Sequence, residues 1–214
     1  IPSSHYVSTF PFDTFSQSLP NVRSLFITQP LPEVRHFSFT QLELLKIANN
    51  KSHMNAEKNR ILQGEEICQL LRNNPQLAHV CLDPVGPTEL HLIPPLIHLE
   101  YLQIYGGLAT EANLEWIAKL PKLTRLNILQ FDQSILEAFI RFTPPHLTHL
   151  WLYAPLDSFP SELLEALADA LKPLPLELLR ADFEDNGHCF ARRLLSGTQH
   201  MKLKEWPDRK STRL

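Results

Sequence analysis

Aromatic, arginine and amide side chains alternate with leucine and isoleucine in several short stretches of the sequence. "YLQIY" begins at Tyr101, "RLNI" at Arg125 and "HLWLY" at His149. Residues of these types dominate the energetics of protein–protein interfaces, because they join a large apolar surface to hydrogen-bonding groups. The sequence therefore predicts a partner-binding set that consists of Tyr101, Gln103, Tyr105, Arg125, Asn127, His149, Trp151, Tyr153 and Arg180. A competing interpretation is that Trp151 and Tyr153 only cover a sheet near a chain end or pack under a loop.

Other residue combinations do not indicate catalysis or a cofactor. His146 and His149 in "HLTH" could form a metal pair on a helix, but at the start of a strand their odd spacing places the two side chains on opposite faces. His188 and Cys189 lack two further ligands nearby, and the paired glycines in "YGGLATEA" belong to no phosphate-binding motif. Neither GxSxG nor HExxH occurs. We expect neither an enzyme nor a bound cofactor or metal ion.

Length and charge exclude several classes of protein. The 214 residues are 43% hydrophobic, which is enough for a substantial core. The 20 Lys and Arg and 23 Asp and Glu residues are mixed along the chain and give a formal net charge of -3, so we expect no nucleic-acid partner. The apolar runs are shorter than the ~18 residues of a membrane span, so we expect no membrane contact. Three cysteines without CxxC spacing favour a reducing compartment, and we expect a cytoplasmic or nuclear protein.

One pattern recurs along the chain: an apolar residue, two variable residues, an apolar residue, one variable residue and an apolar residue. Its seven copies begin at Val22, Leu42, Leu77, Leu99, Leu123, Leu147 and Leu176. Most steps between copies fall within the ~20–29 residues that are typical of leucine-rich repeats. The step from Leu42 to Leu77 is longer, which predicts an exposed insertion at the polar stretch "KSHMNAEK", residues 51–58.

The spacing within and between the copies predicts strands and helices. The end of each copy alternates with a period of two, as in a β-strand with one buried side. Leu126 and Ile128 are on the predicted buried side, and Arg125 and Asn127 are on the other. Between copies the apolar spacing becomes helical. The predicted helices follow the N-cap residues Thr110, Asp132 and Ser161, and one more lies around Ile67.

A strand, a loop, a helix and a return loop make one coil of a solenoid, and each coil buries its apolar residues against its neighbours. The expected fold is therefore α/β: a leucine-rich-repeat solenoid with a curved parallel sheet on the concave side and helices on the convex side. The outward side chains of the strands then form columns across the coils. The first is Ser24, Leu44, His79, Tyr101, Arg125, His149 and Leu178; the second is Phe26, Lys46, Cys81, Gln103, Asn127, Trp151 and Arg180; the third includes Tyr105, Leu129 and Tyr153.

The repeats resemble those of the ribonuclease-inhibitor-like leucine-rich-repeat superfamily. Stretches such as "EICQLLRNNPQLAHVCLD" and "SELLEALADALKPLPLELL" are most similar to the repeat regions of fungal F-box proteins. The resemblance implies the substrate-recognition region of a ubiquitin-ligase receptor, with a protein partner on the concave face and a ubiquitin-ligase adaptor bound through an N-terminal F-box. Such a module is not present in these residues. The alternatives are a stand-alone repeat scaffold, the sensing region of a larger receptor, or a regulatory repeat protein of the GTPase-activating kind.

The domain organisation follows from the extent of the repeats. We expect residues 1–207 to be a single leucine-rich-repeat domain fragment, with irregular repeats from about residue 18 to residue 182. The last seven residues, "DRKSTRL" at 208–214, read like the translation of a common sequencing adapter. We therefore expect that this tail is not biological and exclude it from the fold.

Overall fold

The computed structural model of the protein describes residues 21–27, 37–48, 64–83, 88–154, 159–183 and 202–203. The predicted insertion at 51–58, the pair His188 and Cys189, and the tail at 208–214 lie outside the described residues. The strands are β1 Ser24–Ile27, β2 Leu44–Ile47, β3 His79–Leu82, β4 Tyr101–Tyr105, β5 Arg125–Leu129, β6 His149–Ala154, β7 Leu178–Phe183 and β8 Lys202–Leu203. The α-helices are α1 Gly64–Asn73, α2 Glu111–Ala118, α3 Gln133–Arg141 and α4 Ser161–Leu171. Short 3-10 turns occupy Leu90–Leu92 and Gly106–Leu108.

The strands form one parallel sheet in which spatial order follows chain order from β1 to β8. Each strand hydrogen-bonds to the next one along the chain, so every connection must return to the same end of the sheet. The register repeats from strand to strand, and the second apolar position of each copy of the pattern is aligned with that of the next copy. This row consists of Leu25, Leu45, Val80, Leu102, Leu126, Leu150 and Leu179. The predicted α/β fold with a parallel sheet is confirmed.

The hydrophobic core lies between one side of this sheet and the helices. Leu126 and Ile128 of β5 have 0% and 1% of their surface exposed, and the equivalent residues of the neighbouring strands join the same core. The helices contribute their apolar faces to it, for example Leu114 of α2, Phe139 of α3 and Leu167 of α4. The helices therefore cover the side of the sheet that carries the buried leucines, as the spacing predicts.

The helix starts agree with the sequence at two of three N-cap positions. The Thr110 side chain accepts a hydrogen bond from the Asn113 backbone amide, and the Asp132 side chain accepts one from Ile135. The prediction that Ser161 caps α4 is wrong by one residue. The Leu164 amide donates to the carbonyl of Pro160 at 3.2 Å, which makes Pro160 the N-cap and Ser161 the first helical residue. Proline also presets a φ of -55° at this position.

Two buried asparagines connect backbone groups of residues that are distant from one another in the chain. Asn113 has 0% exposure; its side chain donates to the carbonyls of Thr88 at 2.7 Å and Leu108 at 2.8 Å and accepts from the His91 amide at 3.1 Å. Asn74 is equally buried, and its side chain accepts from the Phe39 amide and donates to the carbonyls of Phe37 and Leu70. Neither asparagine was predicted as a structural residue, because nothing in the repeat pattern marks it.

Candidate functional site

The nine predicted partner-binding residues lie on the side of the sheet opposite the helices. The strand register aligns Tyr101 with Arg125 and His149, and the next row contains Gln103, Asn127, Trp151 and Arg180. The third row runs from Tyr105 through Leu129 to Tyr153. The predicted columns are thus the observed rows, with the difference that Leu129 is 7% exposed and belongs to the buried residues. We call the nine residues the outer face.

The β4–β5 part of the outer face is a hydrogen-bonded network of polar side chains. The Tyr101 hydroxyl donates to Gln103 Oε1 at 3.1 Å and accepts from Asn127 Nδ2 at 2.8 Å. Gln103 Nε2 in turn donates to Asp83 Oδ1 at 3.0 Å, and the His79 and Tyr101 rings lie 6.2 Å apart. These groups satisfy one another within the protein, which fixes their rotamers before any partner arrives.

The pKa values of Tyr101 and Tyr105 are both raised, chiefly by burial. Burial, and then the nearby Cys81 and Asp83, raise the pKa of Tyr101 to about 12. Burial also raises the pKa of Tyr105, with smaller contributions from Asp83 and Tyr153. At neutral pH both hydroxyls are therefore neutral hydrogen-bonding groups and poor candidates for a general base.

The β6–β7 part of the outer face is an aromatic cluster around Trp151. The Arg180 guanidinium lies 4.1 Å from the centre of the Trp151 ring, within the range of a cation–π contact. The Tyr153 ring meets Trp151 edge-on at a centroid distance of 6.4 Å. Trp151 and Tyr153 are both half-buried, so part of each ring is accessible to a partner. Both contacts hold large side chains in defined positions, which lowers the entropy that binding would cost.

Arg125 and His149 complete the outer face between these two parts. Arg125 is exposed and makes no hydrogen bond or ion pair with any described residue. His149 is half-buried, and its Nδ1 lies 2.9 Å from the Thr148 hydroxyl. The guanidinium of Arg125 is therefore available to a ligand, with Tyr101 on one side and His149 on the other.

The structure places the other candidate chemical groups apart from one another. His146 is exposed in the turn before β6, whereas His149 lies within the strand, and the described ranges contain no group of three potential metal ligands. Burial raises the pKa of the Cys68 and Cys81 thiols, so neither is an activated thiolate at neutral pH.

Gly106 begins a 3-10 turn, and a Cβ there would lie 1.9 Å from the Gln130 carbonyl oxygen, so the glycine permits close backbone packing.

Two residues near the outer face were not among the nine predicted partner-binding residues. Asp83 follows β3 and accepts a hydrogen bond from Gln103; its position directly after a strand unit, like that of Tyr105, was the available signal. Phe26 of β1 is 61% exposed and extends the second row at the far end of the sheet. Neither residue changes the chemistry of the β5–β7 region.

The chain matches no family profile, and no curated protein matches it with significance. Within the part of the chain that the structure describes, no helix combines the length and apolar character that crossing a membrane requires.

Proposed function

We propose that this chain is a protein-interaction module of the leucine-rich-repeat type, in which the outer face is the concave side of a curved solenoid and binds a protein. The observation that carries the proposal is the arrangement around Trp151. A tryptophan stacked under Arg180 and flanked by Tyr153 lies on the side of the sheet opposite the described helices, and the strands of this sheet repeat one apolar pattern. Trp, Tyr and Arg are the residue types enriched at interface positions of large binding energy.

We further propose that the module recognises the substrate of an F-box-type ubiquitin-ligase receptor. This step depends on the resemblance of the repeat stretches to fungal F-box proteins. It implies a ubiquitin-ligase adaptor as second partner, bound by an N-terminal F-box, and a cytoplasmic or nuclear location. The sequence encoded upstream of Ile1 tests it directly. An F-box-like helical segment there would support the proposal, whereas a nucleotide-binding domain or a signal peptide would contradict it.

The binding surface is tested by the substitution Trp151→Ala. Because Trp151 is half-buried and outside the core, the variant should still unfold cooperatively on heating. Capture of a partner from cell extract should weaken at least about tenfold, the factor that ~1.4 kcal/mol represents.

Leu92→Ala is the matched control. It removes an apolar side chain that is 56% exposed in the 3-10 turn packed against α1 and α2, away from the outer face, and it should leave capture unchanged. If Trp151→Ala prevented folding, Trp151 would belong to the core. Normal folding with unaltered capture would place the binding surface elsewhere on the molecule.

A further inference from the structure

The third outward row of the sheet differs in charge from the first two. In the first two rows, from β1 to β7, the charged residues are Lys46, Arg125 and Arg180. The third row lies at the carboxyl ends of β3 to β7 and consists of Asp83, Tyr105, Leu129, Tyr153 and Asp182. This row contains two aspartates, one at each end, and no basic residue. A partner segment that follows it therefore meets acidic residues on either side of two tyrosines.

Tyr105 and Tyr153 have hydroxyl groups that no described residue uses. Both side chains are half-buried, and neither hydroxyl forms a hydrogen bond with a described residue. Burial raises the pKa of Tyr105, and Asp83 and Tyr153 add smaller contributions, so both of these groups lie near its hydroxyl. The Tyr101 hydroxyl, by contrast, already donates one hydrogen bond and accepts another. The phenols of the third row are therefore donors that remain open to a ligand.

Leu129 lies between the two tyrosines in the register and forms an apolar floor. Its side chain is 7% exposed, yet it does not belong to the hydrophobic core between the sheet and the helices. We attribute this shielding to the rings of Tyr105 and Tyr153 on either side. The three residues together make a shallow aromatic cradle with a hydroxyl on each wall.

The spacing of the cradle matches one periodic ligand conformation. Tyr105 and Tyr153 are two strands apart, which is about 9.6 Å across the sheet. A polyproline II helix repeats every three residues and advances ~9.3 Å in doing so, so the first and last prolines of a Pro-x-x-Pro unit would meet the two rings. A partner β-strand repeats every two residues, or about 6.7 Å, and does not match.

The hydrogen-bonding capacity of such a segment also fits the cradle. A polyproline II helix makes no internal hydrogen bonds, and proline has no N–H, so the segment offers carbonyl acceptors and few donors. The open phenol hydroxyls of Tyr105 and Tyr153 supply the donors. Asp83 accepts from Gln103 through Oδ1 but forms no ion pair with a described cation, so its carboxylate can receive a basic side chain at the end of the segment.

We infer that the third row binds a proline-rich segment of the partner in the polyproline II conformation, with a basic residue beside the prolines. Tyr105 and Tyr153 each pack on one proline and donate to a backbone carbonyl, Leu129 contacts the ring between them, and Asp83 pairs with the basic residue. This inference rests on the proposed function and specifies the chemistry of the partner. Single-stranded nucleic acid also stacks on aromatic rings, but the aspartates of the row would repel its phosphates.

A labelled synthetic peptide with two consecutive Pro-x-x-Pro units between arginines is a defined probe, and fluorescence anisotropy measures its binding to the 214-residue protein. A second peptide keeps the arginines and replaces every proline by alanine. The proline peptide should bind at least about tenfold more tightly than the alanine peptide. Equal affinity of the two peptides would overturn the inference, because arginine alone would then explain the binding.

Tyr105→Phe and Tyr153→Phe retain the rings and remove the hydroxyls. Each should weaken the proline peptide about threefold to tenfold, the range of a single net hydrogen bond. Ile97→Ala is the control: Ile97 is 55% exposed in the turn before β4, at the end of the strand opposite Tyr105, and its loss should leave the affinity unchanged. Circular dichroism should show that all three variants are folded.

The outcomes separate this inference from the proposed function. If the proline peptide does not bind, or binds both phenylalanine variants as tightly as wild type, the proline-rich partner is wrong. Partner capture that still depends on Trp151 would then leave the protein-binding face intact. Single-stranded RNA that binds through Tyr105 and Tyr153, without binding of the proline peptide, would overturn the inference and assign the row to nucleic acid.

Discussion

The two sides of the sheet use the same strands for different purposes. In β5, Leu126 and Ile128 are shielded from solvent, whereas Arg125 is exposed and Asn127 is half-buried. Across the strands β1 to β7, the inward row at Leu126 contains Leu and Val alone, while the outward row at Asn127 contains seven different residue types. The inward positions share one requirement, to fill the core, and so they can repeat. The outward positions have no common requirement, so their residue types can differ from strand to strand.

The sharpest test of this difference is to place the same charge on each side. Leu126→Asp puts an unpaired carboxylate into the core, where it costs several kcal/mol of a total stability of only ~5–15 kcal/mol, and the protein should fail to fold. Arg125→Asp, one residue earlier, puts the carboxylate in solvent and should change the free energy of unfolding by less than about 1 kcal/mol. Circular dichroism and urea unfolding measure both. Cooperative unfolding of Leu126→Asp at the wild-type midpoint would contradict the assignment of the two sides.

A second test compares two asparagines. Asn113→Ala removes the partner of two buried carbonyls, those of Thr88 and Leu108, and should lower the free energy of unfolding by at least about 2 kcal/mol. Asn127→Ala removes hydrogen bonds to Tyr101 and Gln103 on the half-buried outer face, where water can replace them, and should cost about 1 kcal/mol or less. Urea unfolding of both variants gives the comparison. Equal losses would mean that the outer network supports the fold as strongly as the buried bridge does.

The inward side could be predicted from the sequence because burial imposes a period. The apolar spacing at Leu123, Leu126 and Ile128 repeats in every copy, so it indicates strand, register and buried side together. The apolar faces of the helices follow from the same argument. Thr110 and Asp132 are N-cap residues because their side-chain oxygens reach free backbone amides in the first turn of each helix. The N-cap of α4 was predicted at Ser161 because serine is a good capping residue. In the structure the backbone places Pro160 at the N-cap position.

The remaining contacts could not be predicted because they join residues that are distant in sequence and follow no period. Asn113 bonds to Thr88, 25 residues away, and Gln103 bonds to Asp83, 20 residues away. Each contact needs a particular alignment of distant segments and a particular rotamer in addition to the residue type. The row that contains Trp151 and Arg180 was predictable, since register alone places them side by side, but the stacking of one on the other was not.

The smallest expected effect concerns Tyr101, which lies on the outer face yet is partly buried. Its pKa of about 12 in the folded protein exceeds the ~10 of an unperturbed tyrosine, because burial and the nearby Cys81 and Asp83 disfavour the phenolate. Below about pH 10 the phenol is protonated in both states, and its stabilising contribution is complete. Between about pH 10 and pH 12 the unfolded chain releases the proton while the folded protein retains it, so the free energy of unfolding falls as the pH rises.

Tyr101→Phe should abolish this part of the pH dependence. The difference in unfolding free energy between wild type and variant, followed by urea unfolding from about pH 9 to about pH 11, should decrease steadily in that window, because other titrating groups are common to both proteins and cancel. An absorbance titration of the phenolate should show that the variant lacks the ionisation of highest pKa. A constant stability difference, or ionisation of Tyr101 near pH 10, would mean that its hydroxyl is open to water and that the outer face is solvated throughout.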